Sequence, residues 1–257
     1  MFSREAAAGL RAFVQNGGHV LAEARLGWND ERGYASEIIP GLGMHDIFGA
    51  SENEVRMRDQ IEFAFTDEDH PVLEGLQKGQ KLRGSLYSQT LNIENLRSEE
   101  RFSRNAESVR ILATDAEGAP AFVSHPFGKG EAMLAGSYLG MASFPEPDSV
   151  NDQLFINLLD WAGITRPYTT SADGRTADQV EVRLKTGDDG YVLFLINHSP
   201  RQEKVSIRLK VDLEGLYQVA NIIDNTENEV QSSDGVLSLS FEPEGKGVKV
   251  MAISRKN

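Results

Sequence analysis

The chain has 257 residues, 40% hydrophobic and 25% charged, a globular composition that excludes wholesale disorder and a length that fits one large domain or two ordinary ones. It has no cysteine, which excludes a disulfide framework, a thiolate metal site and a cysteine nucleophile. The formal net charge is −13, and no basic stripe interleaves with aromatics, so a nucleic-acid partner is not expected.

The charge is uneven. Residues 1–165 carry 14 basic and 25 acidic side chains, whereas residues 166–257 carry 12 and 14. Residues 3–16 read as a helix, with Ser3 as its cap and Ala6, Leu10, Phe13 and Val14 on one apolar face. Gly17-Gly18 stops it, and Val20–Ala24 follows as a short covered strand. Helix, glycine pair and strand together resemble the second half of a parallel β-α-β unit whose first strand is missing.

Residues 51–107 carry scattered apolar residues among many charges and read only as strands and loops. Val109–Ala113 reads as a strand. Ala121–His125 and Glu131–Ala135 read as a hairpin turning at Phe127-Gly128-Lys129-Gly130. A second helix is expected at 149–163, with Ser149 and Asp152 approximating a capping box and Gly163 as its end. Residues 166–178 have the Pro, Gly and small polar composition of a linker. The rest alternates: Val180–Lys185, Tyr191–Ile196, Val205–Val211, then 216–223, 236–241 and 247–253. This predicts a small antiparallel β-sandwich over 179–257.

Chemistry-bearing patterns are sparse. The acidic clusters Asp30/Glu31, Glu52/Glu54, Asp67/Glu68/Asp69 and Glu99/Glu100 are candidates for a glycosidase carboxylate pair, but neighbours along an element point apart, so none makes a facing dyad by sequence. No two of the five histidines have metal-ligand spacing, and neither Gly84-Ser85 nor Gly136-Ser137 completes a nucleophile elbow. No phosphate-binding glycine motif occurs, and no cofactor or metal is implied. No apolar run spans a bilayer, and the start Met1-Phe2-Ser3-Arg4-Glu5 lacks a signal-peptide pattern, which favours a cytoplasmic over a secreted location. The most distinctive stretch is the loop after the first strand. Trp28 and Tyr34 offer stacking faces, while Arg25, Asn29, Asp30 and Glu31 offer polar contacts to a sugar or a partner chain.

Leu10–Leu21, Arg25-Leu26-Gly27-Trp28-Asn29-Asp30-Glu31 and Ile39-Pro40-Gly41 resemble the middle, trimerisation domain of family-42 glycoside hydrolases, the bacterial β-galactosidases. Ala119–Val123, Gly128-Lys129-Gly130, Ala135-Gly136-Ser137 and the helix Leu154–Ile164 resemble its later elements. Glu181–Leu184 and Tyr191–Ser199 resemble the small C-terminal β domain of the same enzymes. The resemblance implies a flavodoxin-like, class I glutamine amidotransferase-like three-layer α/β domain over 1–165, incomplete at its N-terminus as in a truncated gene, followed by the all-β domain. It implies trimers, a parent catalytic barrel as partner and a possible galactoside contact. The barrel that supplies both catalytic glutamates in that family needs at least about 200 residues and eight βα repeats. These are not present, so no catalytic residue is carried over. The amidotransferase cysteine is absent as well. The expectation is a non-catalytic oligomerisation and support portion of a β-galactosidase-like enzyme. The alternatives are a stand-alone carbohydrate-binding protein and a hydrolase with an unrecognised carboxylate pair.

Overall fold

The computed structural model describes residues 2–66, 68–93, 109–143, 148–171, 179–188 and 190–256. Contacts divide the chain into two compact units, Met1–Thr165 and Arg166–Asn257. No helix among the described residues is long and apolar enough to cross a membrane.

The first unit contains α1 (Arg4–Gln15), β1 (His19–Ala22), α2 (His45–Phe48), β2 (Ser51–Met57), β3 (Ile61–Phe65), β4 (Lys81–Gly84), β5 (Tyr87–Asn92), β6 (Arg110–Thr114), β7 (Pro120–Phe127), β8 (Gly130–Ala135), α3 (Leu139–Ala142) and α4 (Ser149–Trp161). Six strands form one sheet in the order β1-β8-β7-β6-β3-β4, and β2 pairs with β5 separately. Ser3 caps α1 by accepting from Ala6 N at 3.0 Å. The cap of α4 is Asp148, one residue before the expected Ser149, and its carboxylate takes the N–H groups of Val150 and Asn151.

The three-layer α/β expectation is overturned. Within the six-stranded sheet only β1 and β8 run parallel; every other pairing is antiparallel. Among the described residues, sixteen strands stand against two helices longer than one turn. The unit is mostly β and is not a flavodoxin-like or amidotransferase-like doubly wound domain. The helix-glycine-strand signature gave one true parallel contact. Consecutive antiparallel pairs such as β6–β7 and β7–β8, the latter with Phe127 opposite Gly130, build much of the rest, and such hairpins make antiparallel sheets without crossover helices.

The sheet separates two cores by strand alternation. Met133 and Ala135 of β8 join Phe63, Leu82, Phe122 and the α4 residues Leu154 and Leu158 on one side. Ala132 and Leu134 join Val14 of α1, Met44, Ile47, Phe48 and Val123 on the other. The hairpin tip packs on the end of α1: Lys129 N donates to Gln15 O, and a Cβ on Gly130 would sit 2.1 Å from Gly18 O and 2.4 Å from Val14 O. Close backbone approach accounts for glycine there.

The second unit is all β. A five-stranded sheet has the order β10-β11-β16-β13-β14, from β10 (Val180–Gly187), β11 (Gly190–Asn197), β13 (Leu216–Asn221), β14 (Thr226–Gln231) and β16 (Val248–Arg255). A three-stranded sheet has the order β15-β12-β9, from β9 (Tyr168–Ser171), β12 (Val205–Lys210) and β15 (Val236–Phe241). Leu193, Leu195, Val219 and Ile253 of one sheet share a core with Val205, Ile207, Leu209 and Leu237 of the other. Two strands escape the alternation pattern. β9 lies inside the stretch expected to be linker, where it pairs with β12. β14 is largely exposed, so it shows no apolar rhythm. Asn197, 1% exposed, ties the end of β11 by donating to the carbonyls of Arg201, Pro243 and Glu244.

Candidate functional site

The loop after β1 is built by close backbone packing. Trp28 N closes a turn onto Arg25 O, Gly41 N donates to Leu26 O, and Ser36 N donates to Trp28 O. A Cβ on Gly41 would stand 2.1 Å from Gly27 O. Glycine at 41 therefore lets the Ile39-Pro40-Gly41 segment seat against the loop.

Arg25 occupies the left-handed region at φ 65°, an arrangement that costs a non-glycine residue on the order of 1 kcal/mol. Its guanidinium lies 3.5 Å from the Trp28 ring centroid and 5.6 Å from that of Tyr87. Its Nε stands 3.4 Å from Glu52 Oε2, with the two side chains 13% and 15% exposed. Burial pushes the Glu52 carboxyl above its ordinary value, and the Arg25 charge opposes that rise. Tyr87 in turn meets Tyr138 edge-on at 5.8 Å. Glu23, just past β1, accepts from the N–H groups of Leu139 and Gly140 at 2.7 and 2.9 Å and so holds the start of α3.

The six sequence candidates thus separate. Arg25 and Trp28 come together with three residues that sequence reasoning did not assign to this site: Glu52, Tyr87 and Tyr138. Glu52 had appeared only as half of an acidic pair; its neighbour Glu54 instead binds Arg56. Asp30 is a turn former, its Oδ1 accepting from Arg32 N and Tyr34 N. Asn29 bridges to Ala35 and accepts from Phe2 N through its carbonyl. Glu31 and Tyr34 are exposed on this hairpin, Tyr34 at 70%. Asp67 and the Glu99/Glu100 pair lie outside the described residues.

A second titratable cluster lies at the other end of β8. Glu131 Oε1 accepts from His70 Nε2 at 2.9 Å and from Ser124 Oγ, and its Oε2 accepts from Trp161 Nε1 at 2.7 Å. Burial alone would raise its pKa, but the hydrogen bonds from His70, Ser124 and Trp161 outweigh burial and hold it at about 2. Serine, histidine and carboxylate meet here without forming a hydrolytic triad. His70 Nδ1 accepts from Val72 N, which puts the ring proton on Nε2, and the serine and the acid both address that one nitrogen. A general base needs Nε2 free to take the serine proton while the acid orients Nδ1. Ser124 is also fully buried. The cluster fastens the sheet to the end of α4, where His19 stacks on Trp161 at 4.4 Å.

No family model matches the sequence, and no curated protein does. Solved structures do match. The β-galactosidase from Bacillus circulans sp. alkalophilus superposes with a TM-score of 0.64 at 17% identity, covering 98% of this chain and 31% of that one. The β-galactosidase from Rahnella sp. R3 gives 0.63 at 17%, covering 98% and 31%. A GH42 β-galactosidase from G. stearothermophilus gives 0.63 at 18%, covering 99% and 30%. The chain has the fold of part of a family-42 β-galactosidase. It spans less than a third of the length of these enzymes, and the family-42 likeness runs through both of its units. The Arg25–Trp28–Glu52 cluster is aromatic-faced, and its acid stands against the Arg25 charge at 3.4 Å without a hydrogen bond between the facing atoms.

Proposed function

We propose that the chain is a non-catalytic oligomerisation and support portion of a β-galactosidase-like glycoside hydrolase. The observation that carries this reading is the asymmetry of the likeness: 98% of this chain corresponds to 31% of a β-galactosidase. The occupation of the inner acids supports it. Glu23 holds backbone N–H groups, Asp30 holds a turn, Glu52 faces Arg25, and Glu131 accepts from three side chains. A glycosidase acid has to present its proton to the sugar, with a second carboxylate about 5–10 Å away. Groups committed in this way hold structure.

Two features favour assembly with other chains. β1 ends its sheet, so one of its edges carries backbone groups without a ladder partner among the described strands. The neighbouring loop exposes Trp28 at 40%, Tyr34 at 70% and Ile38 at 49%, an aromatic and aliphatic set suited to a protein interface. Partners on this reading are further copies of the chain and the catalytic barrel of the parent enzyme. Sedimentation equilibrium over a range of protein concentrations tests it. Reversible association towards a trimer is expected, weakened by Tyr34→Asp with the fold intact. A monomer at every concentration would overturn the assembly role.

A further inference from the structure

The inner face of the five-stranded sheet changes character along its length. On β13 the inward row runs Tyr217, Val219, Asn221. Cross-strand register puts Val230, Asn228 and Thr226 of β14 beside them in that order. On β16, Ile253 and Met251 pair with Val219 and Asn221, and Lys249 continues the same row. Three adjacent strands therefore pass from apolar to polar towards the same end of the unit. An inward-facing row in a sandwich is ordinarily apolar throughout, because it meets the opposite sheet. Here it does not meet that sheet at this end. β14 and β15 are each the last strand of their sheets, and a cavity of about 350 Å³ lies where Thr226, Asn228 and Lys249 look towards Phe241 of β15.

The lining has the chemistry of a site for a neutral sugar. Phe241 and Met251 give apolar lining, and Thr226 and Asn228 give short neutral donors and acceptors beside them. The side chains of Thr226 and Asn228 make no hydrogen bond to the described residues, so they are available to a ligand. The rest of the wall is fixed: Asn221 Nδ2 donates to Asp224 Oδ2, which also faces Lys249 Nζ at 3.3 Å. That pairing compensates the lysine, and Glu242 stands on the rim, so an anion gains little here. A sugar ring offers an apolar face and an edge of hydroxyls, and the volume falls at the small end of ligand sites of about 300–1,000 Å³.

We propose that this end of the second unit is a non-catalytic binding site for a neutral mono- or disaccharide. The site is built from residues of the second unit alone and does not depend on assembly with a barrel. Amide chemical-shift titration of the full chain with galactose, lactose and inorganic phosphate tests it. The expected result is saturable shifts with a sugar, clustered on 221–228 and 240–251. Asn228→Ala should weaken that binding about tenfold, the loss of one or two good hydrogen bonds. Asn228 is exposed and structurally unpaired, so this variant should keep the dispersed spectrum of the folded protein. Thr226→Val serves as a second, shape-conserving variant. Absence of saturable shifts with both sugars, sugar binding that both variants leave unchanged, or shifts at these amides stronger with phosphate than with sugar would each overturn the proposal.

Discussion

Arg25 combines a cost and a gain that substitution can separate. Its side chain pairs with Glu52 at 3.4 Å and covers Trp28 at 3.5 Å, while its backbone sits at φ 65°. Arg25→Ala removes both side-chain contacts and keeps the strained backbone. Leaving one member of a mostly buried ion pair alone costs about 3 kcal/mol, and losing the cation–π contact adds about 1 kcal/mol. Arg25→Gly loses the same contacts but relaxes the left-handed backbone, so it should be about 1 kcal/mol more stable than Arg25→Ala. Glu52→Gln on the Arg25→Ala background removes the orphaned carboxylate and should restore about 1–2 kcal/mol. The assay is denaturant unfolding followed by tryptophan fluorescence. Both tryptophans, Trp28 and Trp161, lie within Met1–Thr165, so the signal reports the first unit alone. The reasoning is refuted if the glycine variant is no more stable than the alanine variant, or if the Arg25 and Glu52 changes are strictly additive.

Further outcomes follow from other contacts. Glu131 is held at about 2 against an ordinary 4.5, so its stabilising contribution is complete above about pH 4.5 and disappears as the pH falls through 2. Glu131→Gln should cost about 1–2 kcal/mol at neutral pH and flatten that acid limb, read by fluorescence across a pH series. Asn197→Ala should destabilise the second unit by about 2–3 kcal/mol by removing three carbonyl contacts, one buried and two part-buried, measured by circular dichroism because that unit has no tryptophan. Gly9→Ala meets open space in the middle of α1 and should stabilise by about 0.5–1 kcal/mol, whereas Gly130→Ala drives a Cβ into the Gly18 and Val14 carbonyls and should destabilise by about 2 kcal/mol or more. Thermal melts of the pair check both signs.

Local signals in the sequence were legible where one face of an element is buried. The hairpin around Gly128-Lys129-Gly130 and the alternation of Val180–Lys185 report on burial, whereas the expected face of α1 was only half right: Val14 is buried and Leu10 partly so, but Ala6 and Phe13 are exposed and Ala7 is buried instead. The sheet's direction did not, because a glycine-terminated helix before a strand looks the same whether one strand or five run parallel to it. β14 went unseen since both its faces are wet over most of its length. Arg25 and Trp28 were visible as a loop rich in aromatic and charged groups. Their partners Glu52, Tyr87 and Tyr138 lie 24 or more positions away along the chain, and long-range pairing leaves no trace in spacing. Nor did the sequence separate Asp30, which builds its turn, from side chains that face outwards.

The central claim is that the reactive acids of the parent chemistry are not among these residues. The direct test is incubation of the purified chain, produced in a host lacking β-galactosidase, with a chromogenic galactoside. The account predicts no release of chromophore above the buffer blank. Turnover that co-elutes with the protein and falls when Glu52 or Glu131 is changed to glutamine would contradict it.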